Sequence, residues 1–307
     1  MMSLRTTVLP RSFLYVPANR PDLYDKAAAG HADALILDLE DAVPVPQKGQ
    51  ARTRLGEWLS GRAPRPDAGP GPQLWSRINA ESVADDLDAV THPALDGIVL
   101  AKCSVGTLRE ASVVLSGLEL TRGLPAGSIG IVGLVETAAA LVSMDAMAAD
   151  PRLVTFGVGE VDLLGDVRIT KSERTAAAVD SLRTQIVVQC AALGLQAPVA
   201  PTSTAFRDLD AFRESTRLML ELGFRSRTAI HPSQVDVIHE MLTPTVDDLR
   251  EARDVLERFD TAGGGITTDL DGRLIDAAVV RAARETLSRA PRARRGSHQA
   301  LPDRRTY

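Results

Sequence analysis

The feature of the sequence that most constrains the fold is a repeated order of short apolar runs and helical segments. Eight apolar runs precede helical patterns, at residues 12–16, 34–37, 74–78, 97–100, 129–135, 153–158, 197–200 and 228–230. Runs without polar alternation are typical of strands covered on both faces, as in a parallel sheet. Eight β-then-α units predict an α/β protein with a (β/α)8 TIM barrel, whose catalytic groups lie at the carboxyl ends of the strands. A doubly wound open sheet is the alternative.

The pattern changes after the eighth unit. Two helical patterns follow, over residues 246–259 and 273–287, on either side of three consecutive glycines. The last part of the chain is polar and rich in arginine, which is typical of a solvated tail. The sequence therefore predicts three regions: a catalytic barrel at residues 1–242, a C-terminal helical extension at 243–290 and a disordered tail at 291–307.

Composition limits the partners that such a chain can have. The net charge of the 307 residues is −5 at pH 7, which argues against nucleic acid or an anionic membrane as a partner. The two cysteines, Cys103 and Cys190, do not form a CxxC pair, so neither a disulfide framework nor a structural zinc site is expected. The N-terminus lacks the apolar segment of a signal peptide, and no run approaches transmembrane length. We expect a cytoplasmic protein.

Carboxylates follow the fifth and sixth predicted strands, at the point where each strand ends. Glu136 comes directly after the fifth strand, and Glu160 and Asp162 follow the sixth. The intervening segment has a helical pattern, so both strands should end at the same edge of the sheet. Converging carboxylates at such an edge are typical of a site for a hard divalent cation such as Mg²⁺. These two strands alone do not exclude the alternative that the acids cap helices or lie in turns.

Other polar residues are predicted at the same edge of the barrel. They are Glu40 and Asp41 after the second strand, Arg77 and Lys102 at the third and fourth, and His231 at the eighth. Because these strand ends surround one pocket in a closed barrel, their clustering favours the metal site.

Roles follow from the chemistry of each group. We expect Glu136 and Asp162 to bind the metal directly, and Glu40 and Asp41 to support that site. Arg77 is suited to a forked contact with a substrate carboxylate or enolate. For the remaining positions the alternatives stay open: Lys102 is either a pocket cation or part of a structural ion pair, Glu160 need not point inward, and His231 either acts in the site or holds a turn.

Several segments together resemble a known family. They are RSFLYVPA (11–18), ADALILDLEDAV (32–43), Lys48 with Ala51-Arg52, SRIN (76–79), LVETA (134–138), GEVDL (159–163), IHPSQV (230–235) and DGRLID (271–276). In this order they are similar to the citrate lyase β-subunit-like proteins, within the group that includes malyl-CoA and citramalyl-CoA lyases and the HpcH/HpaI aldolases.

The resemblance implies a (β/α)8 barrel that assembles as a homotrimer or hexamer and uses Mg²⁺. It implies that Glu136 and Asp162 are the metal ligands and that Arg77 faces the acyl or keto-acid oxygens. By the same resemblance, Glu40 and Asp41 lie near the metal as catalytic residues. Two basic residues, Arg11 and Lys26, match positions near the phosphates of coenzyme A, so a CoA thioester is the implied substrate.

Some positions depart from the family pattern. The usual GAED is GEVD here, which shifts Glu160, and Ala139 stands where relatives often carry a basic residue. We expect a Mg²⁺-dependent carbon–carbon lyase, of the aldolase type, that cleaves a 3-hydroxy dicarboxylic acyl-CoA into an acyl-CoA and a keto acid. The alternatives are a thioesterase or a malate-synthase-like condensing enzyme on the same CoA esters, an aldolase on a free hydroxy-keto acid, and a non-catalytic subunit that binds CoA esters.

Overall fold

The computed structural model describes residues 9–64, 71–269 and 271–290. The chain divides into two compact units, with the boundary between Leu242 and Thr243. The tail predicted at 291–307 lies outside the described residues. Within the described ranges, no helix combines the length and the apolar character needed to cross a membrane.

The first unit contains eight parallel strands that form a closed barrel in the order of the sequence. They are β1 (Ser12–Pro17), β2 (Ala34–Asp38), β3 (Gln73–Ile78), β4 (Gly97–Leu100), β5 (Gly130–Val135), β6 (Leu153–Val158), β7 (Val199–Ala200) and β8 (Ser226–Ala229). The barrel closes because β8 pairs with β1. The predicted (β/α)8 fold is confirmed, and the open-sheet alternative is excluded.

Helices connect successive strands on the outside of the barrel. They are α1 (Tyr24–Ala28), α2 (Lys48–Ser60), α3 (Val83–Val90), α4 (Val105–Thr121), α5 (Ala138–Val142), α6 (Met144–Met147), α7 (Glu160–Asp166), α8 (Ala176–Ala192), α9 (Leu209–Leu222) and α10 (Pro232–Leu242). One helix was expected over residues 137–149, but the chain forms the two short helices α5 and α6, which meet at Ser143. Helix α7 begins at Glu160, so the alternative in which Asp162 lies in a turn does not apply.

Side chains fill the inside of the barrel in a compact layer. Phe13, Ile36, Trp75, Val99 and Val132 are buried together there. The indole of Trp75 occupies space that a side chain at position 97 would need, because a Cβ there would lie 2.3 Å from its Cζ3. A second, larger core lies between the strands and the surrounding helices. This layer forms the floor of the pocket described below, because Phe13, Ile36, Val99 and Val132 also line that pocket.

The second unit is helical with one small antiparallel sheet. Its elements are α11 (Val246–Thr261), β9 (Thr267–Thr268), β10 (Leu274–Ile275) and α12 (Ala277–Ser288). The helix expected from residue 273 begins only at Ala277, so the prediction is wrong for its first turn. The cause is a turn in which the Asp269 carboxylate accepts hydrogen bonds from the backbone N–H groups of Asp271 and Arg273, with Gly272 at a φ of 78°.

Candidate active site

A pocket of about 1150 Å³ opens at the carboxyl ends of the barrel strands. Residues that end or directly follow a strand line it, among them Pro17, Asp38, Arg77, Glu136 and Gly159. This is the rim where enzymes with this barrel carry their catalytic groups. The pocket is large enough for a substrate of several functional groups.

A forked ion pair in the pocket joins β2 to β3. Asp38 ends β2 in register with Arg77 of β3, and the guanidinium donates from Nε and Nη2 to the two carboxylate oxygens, both at 2.7 Å. Burial opposes the charge of Arg77, but the hydrogen bonds and charges of Asp38 and its neighbours outweigh it and raise the pKa of the guanidinium. Arg77 therefore keeps its positive charge, and two of its guanidinium nitrogens are already paired with Asp38.

Glu40 lies between the two cations of this rim. Its Oε2 is 3.0 Å from Arg77 Nη1, and its Oε1 is 3.4 Å from Lys102 Nζ. Burial raises the pKa of Glu40, with Asp41 and Asp38 adding to the shift while Arg77 opposes it. Asp41 is exposed and lines the same pocket.

Lys48 fixes the chain that carries Glu40. Its ammonium donates to the carbonyl oxygens of Leu39 and Glu40 and to the side-chain oxygen of Asn79, at 2.6 to 2.9 Å. The contact to Asn79 joins the segment after β2 to the end of β3. Glu40 and Asp41 do not cap α2, which begins at Lys48 after a short 3₁₀ turn.

Glu136 follows β5 directly, and its side chain is buried. Its Oε2 accepts a hydrogen bond from the backbone N–H of Lys102, a residue held in the left-handed region at a φ of 47°. Such a conformation is uncommon for a residue other than glycine and tends to be kept where function requires it. Thr137, and not Glu136, caps helix α5, so the alternative role as a helix cap does not apply.

The surroundings of Glu136 disfavour its negative charge. Burial raises the pKa of the carboxyl to about 7; the Lys102 N–H lowers it, while Glu40 and Asp162 raise it further. Asp162 contributes from the first turn of α7, where it is exposed and lines the pocket. A cation between these carboxylates would remove the repulsion that raises this pKa.

Glu160 does not share this role. Lys171 Nζ lies 2.6 Å from one of its oxygens, and Arg183 Nη2 lies 2.5 Å from the other. Both carboxylate oxygens are therefore paired with cations, and Glu160 connects the start of α7 to α8.

The pair Glu136 and Asp162 fits a hard divalent cation better than a transition metal. In the described ranges, no three histidine, cysteine or acidic side chains converge as a complete ligand set. Mg²⁺ commonly uses one or two protein carboxylates and takes its other oxygens from water and substrate. Zn²⁺ sites usually require three or four protein ligands, with nitrogen or sulfur among them.

Not every residue proposed from the sequence joins this pocket. Glu40, Asp41, Arg77, Lys102, Glu136 and Asp162 lie in or beside it. Arg11 precedes β1 at the amino end of the barrel, where it forms a fork with Asp33 at 2.7 and 2.9 Å. Lys26 is exposed on α1. His231 is exposed, bonds Ser233 and stacks on Phe206, which fits the role of holding a turn.

The sequence predicted no role for four residues that shape the site, although Lys48 belongs to the family pattern. Asp38 and Lys48 orient Arg77 and Glu40, Gly159 leaves room for Glu136, and Tyr15 lines the pocket. Asp38 carried a usable signal, because it ends an apolar strand two residues before Glu40. The others depend on contacts between elements far apart in sequence.

Carboxylates and a largely buried arginine at this rim define the class of the protein, an α/β barrel with an acidic pocket at the carboxyl ends of its strands. The family model for HpcH/HpaI aldolase/citrate lyase matches residues 11–232. The chain therefore belongs to the HpcH/HpaI aldolase/citrate lyase family.

Individual relatives cover nearly the whole chain. A citrate lyase subunit beta-like protein of Deinococcus radiodurans is 30% identical over 91% of this chain and 97% of its own length. An L-malyl-CoA/beta-methylmalyl-CoA lyase of Cereibacter sphaeroides is 29% identical, over 89% and 92%. The crystal structure of CitE from Mycobacterium tuberculosis, in complex with magnesium, acetoacetate and coenzyme A, is similar with a TM-score of 0.72. It is 27% identical and covers 93% of this chain and 99% of that one.

Proposed function

We propose that the protein is a Mg²⁺-dependent carbon–carbon lyase that cleaves a 3-hydroxy dicarboxylic acyl-CoA, of the citryl-CoA, citramalyl-CoA or malyl-CoA type. The products are an acyl-CoA and a keto acid. The observation that carries the proposal is the presence of Glu136 and Asp162 in one pocket with the oriented guanidinium of Arg77. The malyl-CoA lyase relative and the magnesium and coenzyme A complex of the similar structure support the reaction class.

Glu136 and Asp162 are the residues that would hold the metal. When bound, a divalent cation supplies Lewis-acid polarisation of a substrate carboxylate and hydroxyl. Glu136 keeps one oxygen on the Lys102 N–H, which orients the carboxylate for the pocket. Asp162 is exposed on α7 and adds its charge from the other side of the site.

Arg77 and Lys102 would stabilise the negative charge that develops when the carbon–carbon bond breaks. The electron pair of that bond passes to the acyl-CoA fragment as an enolate, so a nearby cation lowers the barrier. The enolate then takes up a proton at carbon to give the acyl-CoA, which balances the proton lost from the hydroxyl. One well-placed donor contributes about 3–4 kcal/mol in comparable sites. Because Asp38 holds two nitrogens of Arg77, the guanidinium acts mainly through its charge and through Nη1.

Glu40 is the group that we propose for the proton transfer. A base must take the hydroxyl proton as the carbon that carries it becomes a keto carbon. Burial raises the pKa of Glu40, which makes its carboxylate a stronger base. Asp41 lies at the rim of the same pocket and is proposed to assist this step.

Lys26 is proposed to pair with the phosphates of coenzyme A. It is exposed on α1, which follows β1 at the rim that carries the pocket. Arg11 lies at the other end of β1 and is left out of the proposal. The homotrimeric or hexameric assembly and the cytoplasmic location remain predictions from the sequence.

A screen of short dicarboxylic acyl-CoA thioesters tests the proposal. The protein is treated with EDTA and assayed with malyl-CoA, citramalyl-CoA and citryl-CoA, with and without added Mg²⁺, and the products are identified by mass. We expect an acyl-CoA and a keto acid only when Mg²⁺ is present. Activity that persists in EDTA contradicts the metal-dependent mechanism. Free CoA with an intact hydroxy acid identifies a thioesterase, and Mg²⁺-dependent binding without turnover identifies a binding subunit.

A further inference from the structure

Tyr15 places a hydroxyl group in the pocket that the mechanism above does not use. It belongs to β1, in register with Ile36 of β2, and packs against the layer of side chains inside the barrel. Its side chain lines the pocket. Across the described ranges, the hydroxyl makes no hydrogen bond to another residue. The phenol O–H is therefore available to donate to a ligand in the pocket.

The groups around Tyr15 are charged. The guanidinium of Arg77 lies over its ring, 4.9 Å from the centroid. Burial raises the pKa of Tyr15 above its usual value; Arg77 opposes that shift, and Asp38, Glu136 and Glu40 add to it. At neutral pH the side chain is an uncharged phenol that can donate to an anionic ligand.

Several other donors of the pocket are already paired with protein groups. Two nitrogens of Arg77 are taken by Asp38 and a third faces Glu40. The hydroxyl groups of Thr202 and Thr228, which also line the pocket, lie 2.7 Å apart and bond each other. A keto-acid fragment brings two carboxylate oxygens and a keto oxygen, so a donor in addition to Arg77 and a bound cation has an oxygen to serve.

We propose that the Tyr15 hydroxyl donates a hydrogen bond to a carboxylate oxygen of the keto-acid fragment, and that Tyr15 thereby determines specificity for acidic substrates. The inference rests on the proposed function, because it requires a keto acid in this pocket. The two parts of this side chain would then have different roles. The ring packs against Arg77, and the hydroxyl binds the ligand.

Substitution of Tyr15 by phenylalanine separates the role of the hydroxyl from that of the ring. Tyr15→Phe keeps the ring below Arg77 and removes only the hydroxyl, whereas Tyr15→Leu removes both. Tyr24→Phe is the matched control, since it deletes a buried hydroxyl that donates to the Ala18 carbonyl and does not line the pocket. Binding of pyruvate and oxaloacetate at saturating Mg²⁺ is measured by titration calorimetry for each variant and for the wild type.

We expect Tyr15→Phe to weaken keto-acid binding about tenfold or more, as for the loss of a hydrogen bond to a charged group. Its Mg²⁺ affinity and thermal stability should stay near those of the wild type, and Tyr24→Phe should bind both keto acids normally. Wild-type affinity in Tyr15→Phe overturns the inference. This holds also if Tyr15→Leu binds weakly, because the ring and not the hydroxyl would then be responsible. Failure of the wild type to bind either keto acid overturns the proposed function and this inference with it.

Discussion

The absence of a side chain at Gly159 makes room for the carboxylate of Glu136. A Cβ at position 159 would lie 2.2 Å from Cγ of Glu136 and 2.6 Å from its Oε1. The two residues are brought together by the pairing of β5 with β6, because the Gly159 N–H donates to the Val135 carbonyl. The position of a proposed metal ligand thus depends on a glycine in the neighbouring strand end.

Gly159→Ala should displace Glu136 and weaken Mg²⁺ binding. We expect a loss of about 10–100-fold in affinity, as for other residues that orient a metal ligand. The matched control is Gly165→Ala in α7, where an added Cβ meets nothing within 4 Å. Calorimetric titration with Mg²⁺ measures both variants. Equal affinities in the two would show that Gly159 does not position the ligand.

Mg²⁺ binding should weaken as the pH falls through about 7. The proton and the metal compete for Glu136, whose pKa is raised to about 7. Below its pKa, affinity should fall by up to about tenfold for each pH unit if one proton is displaced. Titrations across this range test the competition, and an affinity independent of pH would contradict it.

The raised pKa of Glu136 should also make the stability of the metal-free protein depend on pH. Because the carboxyl has a higher pKa when folded than its ordinary value of 4.5, it favours the folded state below that value. This contribution is lost as the pH rises through about 7 and amounts to roughly 3 kcal/mol at most. Glu136→Gln should flatten this part of the stability profile, as measured by urea unfolding in EDTA.

Asp38→Asn should lower turnover while leaving metal binding intact. Asp38 orients Arg77 through two hydrogen bonds of 2.7 Å, and a misplaced guanidinium should reduce kcat by about 100-fold. Asp33→Asn is the control, because Asp33 forms a similar fork with Arg11 at the amino end of the barrel. A lyase assay on whichever acyl-CoA the screen identifies gives kcat for both. A normal kcat in Asp38→Asn would show that the reaction does not depend on the orientation of Arg77 by Asp38.

Removing the charge of Glu160 should affect stability, whereas removing the charge of Asp162, on the same helix α7, should affect Mg²⁺ binding. Glu160→Gln should cost roughly 2–3 kcal/mol of stability, because it leaves the buried Arg183 with Asp180 as its remaining acidic partner. Its Mg²⁺ affinity should change little. Asp162→Asn should reduce Mg²⁺ affinity with little loss of stability, because Asp162 is exposed. Urea unfolding and Mg²⁺ titration of both variants test this, and the reverse result would mean that the two roles are exchanged.

The barrel and the rim of the site were predictable because both are local in sequence. Most barrel strands are apolar runs, and Glu136 and Asp38 stand directly at the ends of theirs. Parallel pairing then brings the strand ends to one edge without any further information. Even the weak seventh run forms a strand, though only Val199–Ala200 pair.

The remaining features depend on contacts that no local pattern encodes. The steric relation of Gly159 to Glu136 follows from the register of β5 and β6, and the fork between Asp38 and Arg77 from that of β2 and β3. The left-handed conformation of Lys102 is set by its contact with Glu136, since nothing in its side chain favours it. The sheet of the second unit replaced part of a predicted helix because a turn at Asp269 and Gly272 interrupts the chain there.

The most direct test of the central claim is a crystal structure determined in the presence of Mg²⁺. We expect one ion coordinated by an oxygen of Glu136 and an oxygen of Asp162, each at about 2.0–2.1 Å, with water or keto acid completing the shell. An ion held by other residues, or these two carboxylates directed away from each other around a magnesium-free pocket, would contradict it.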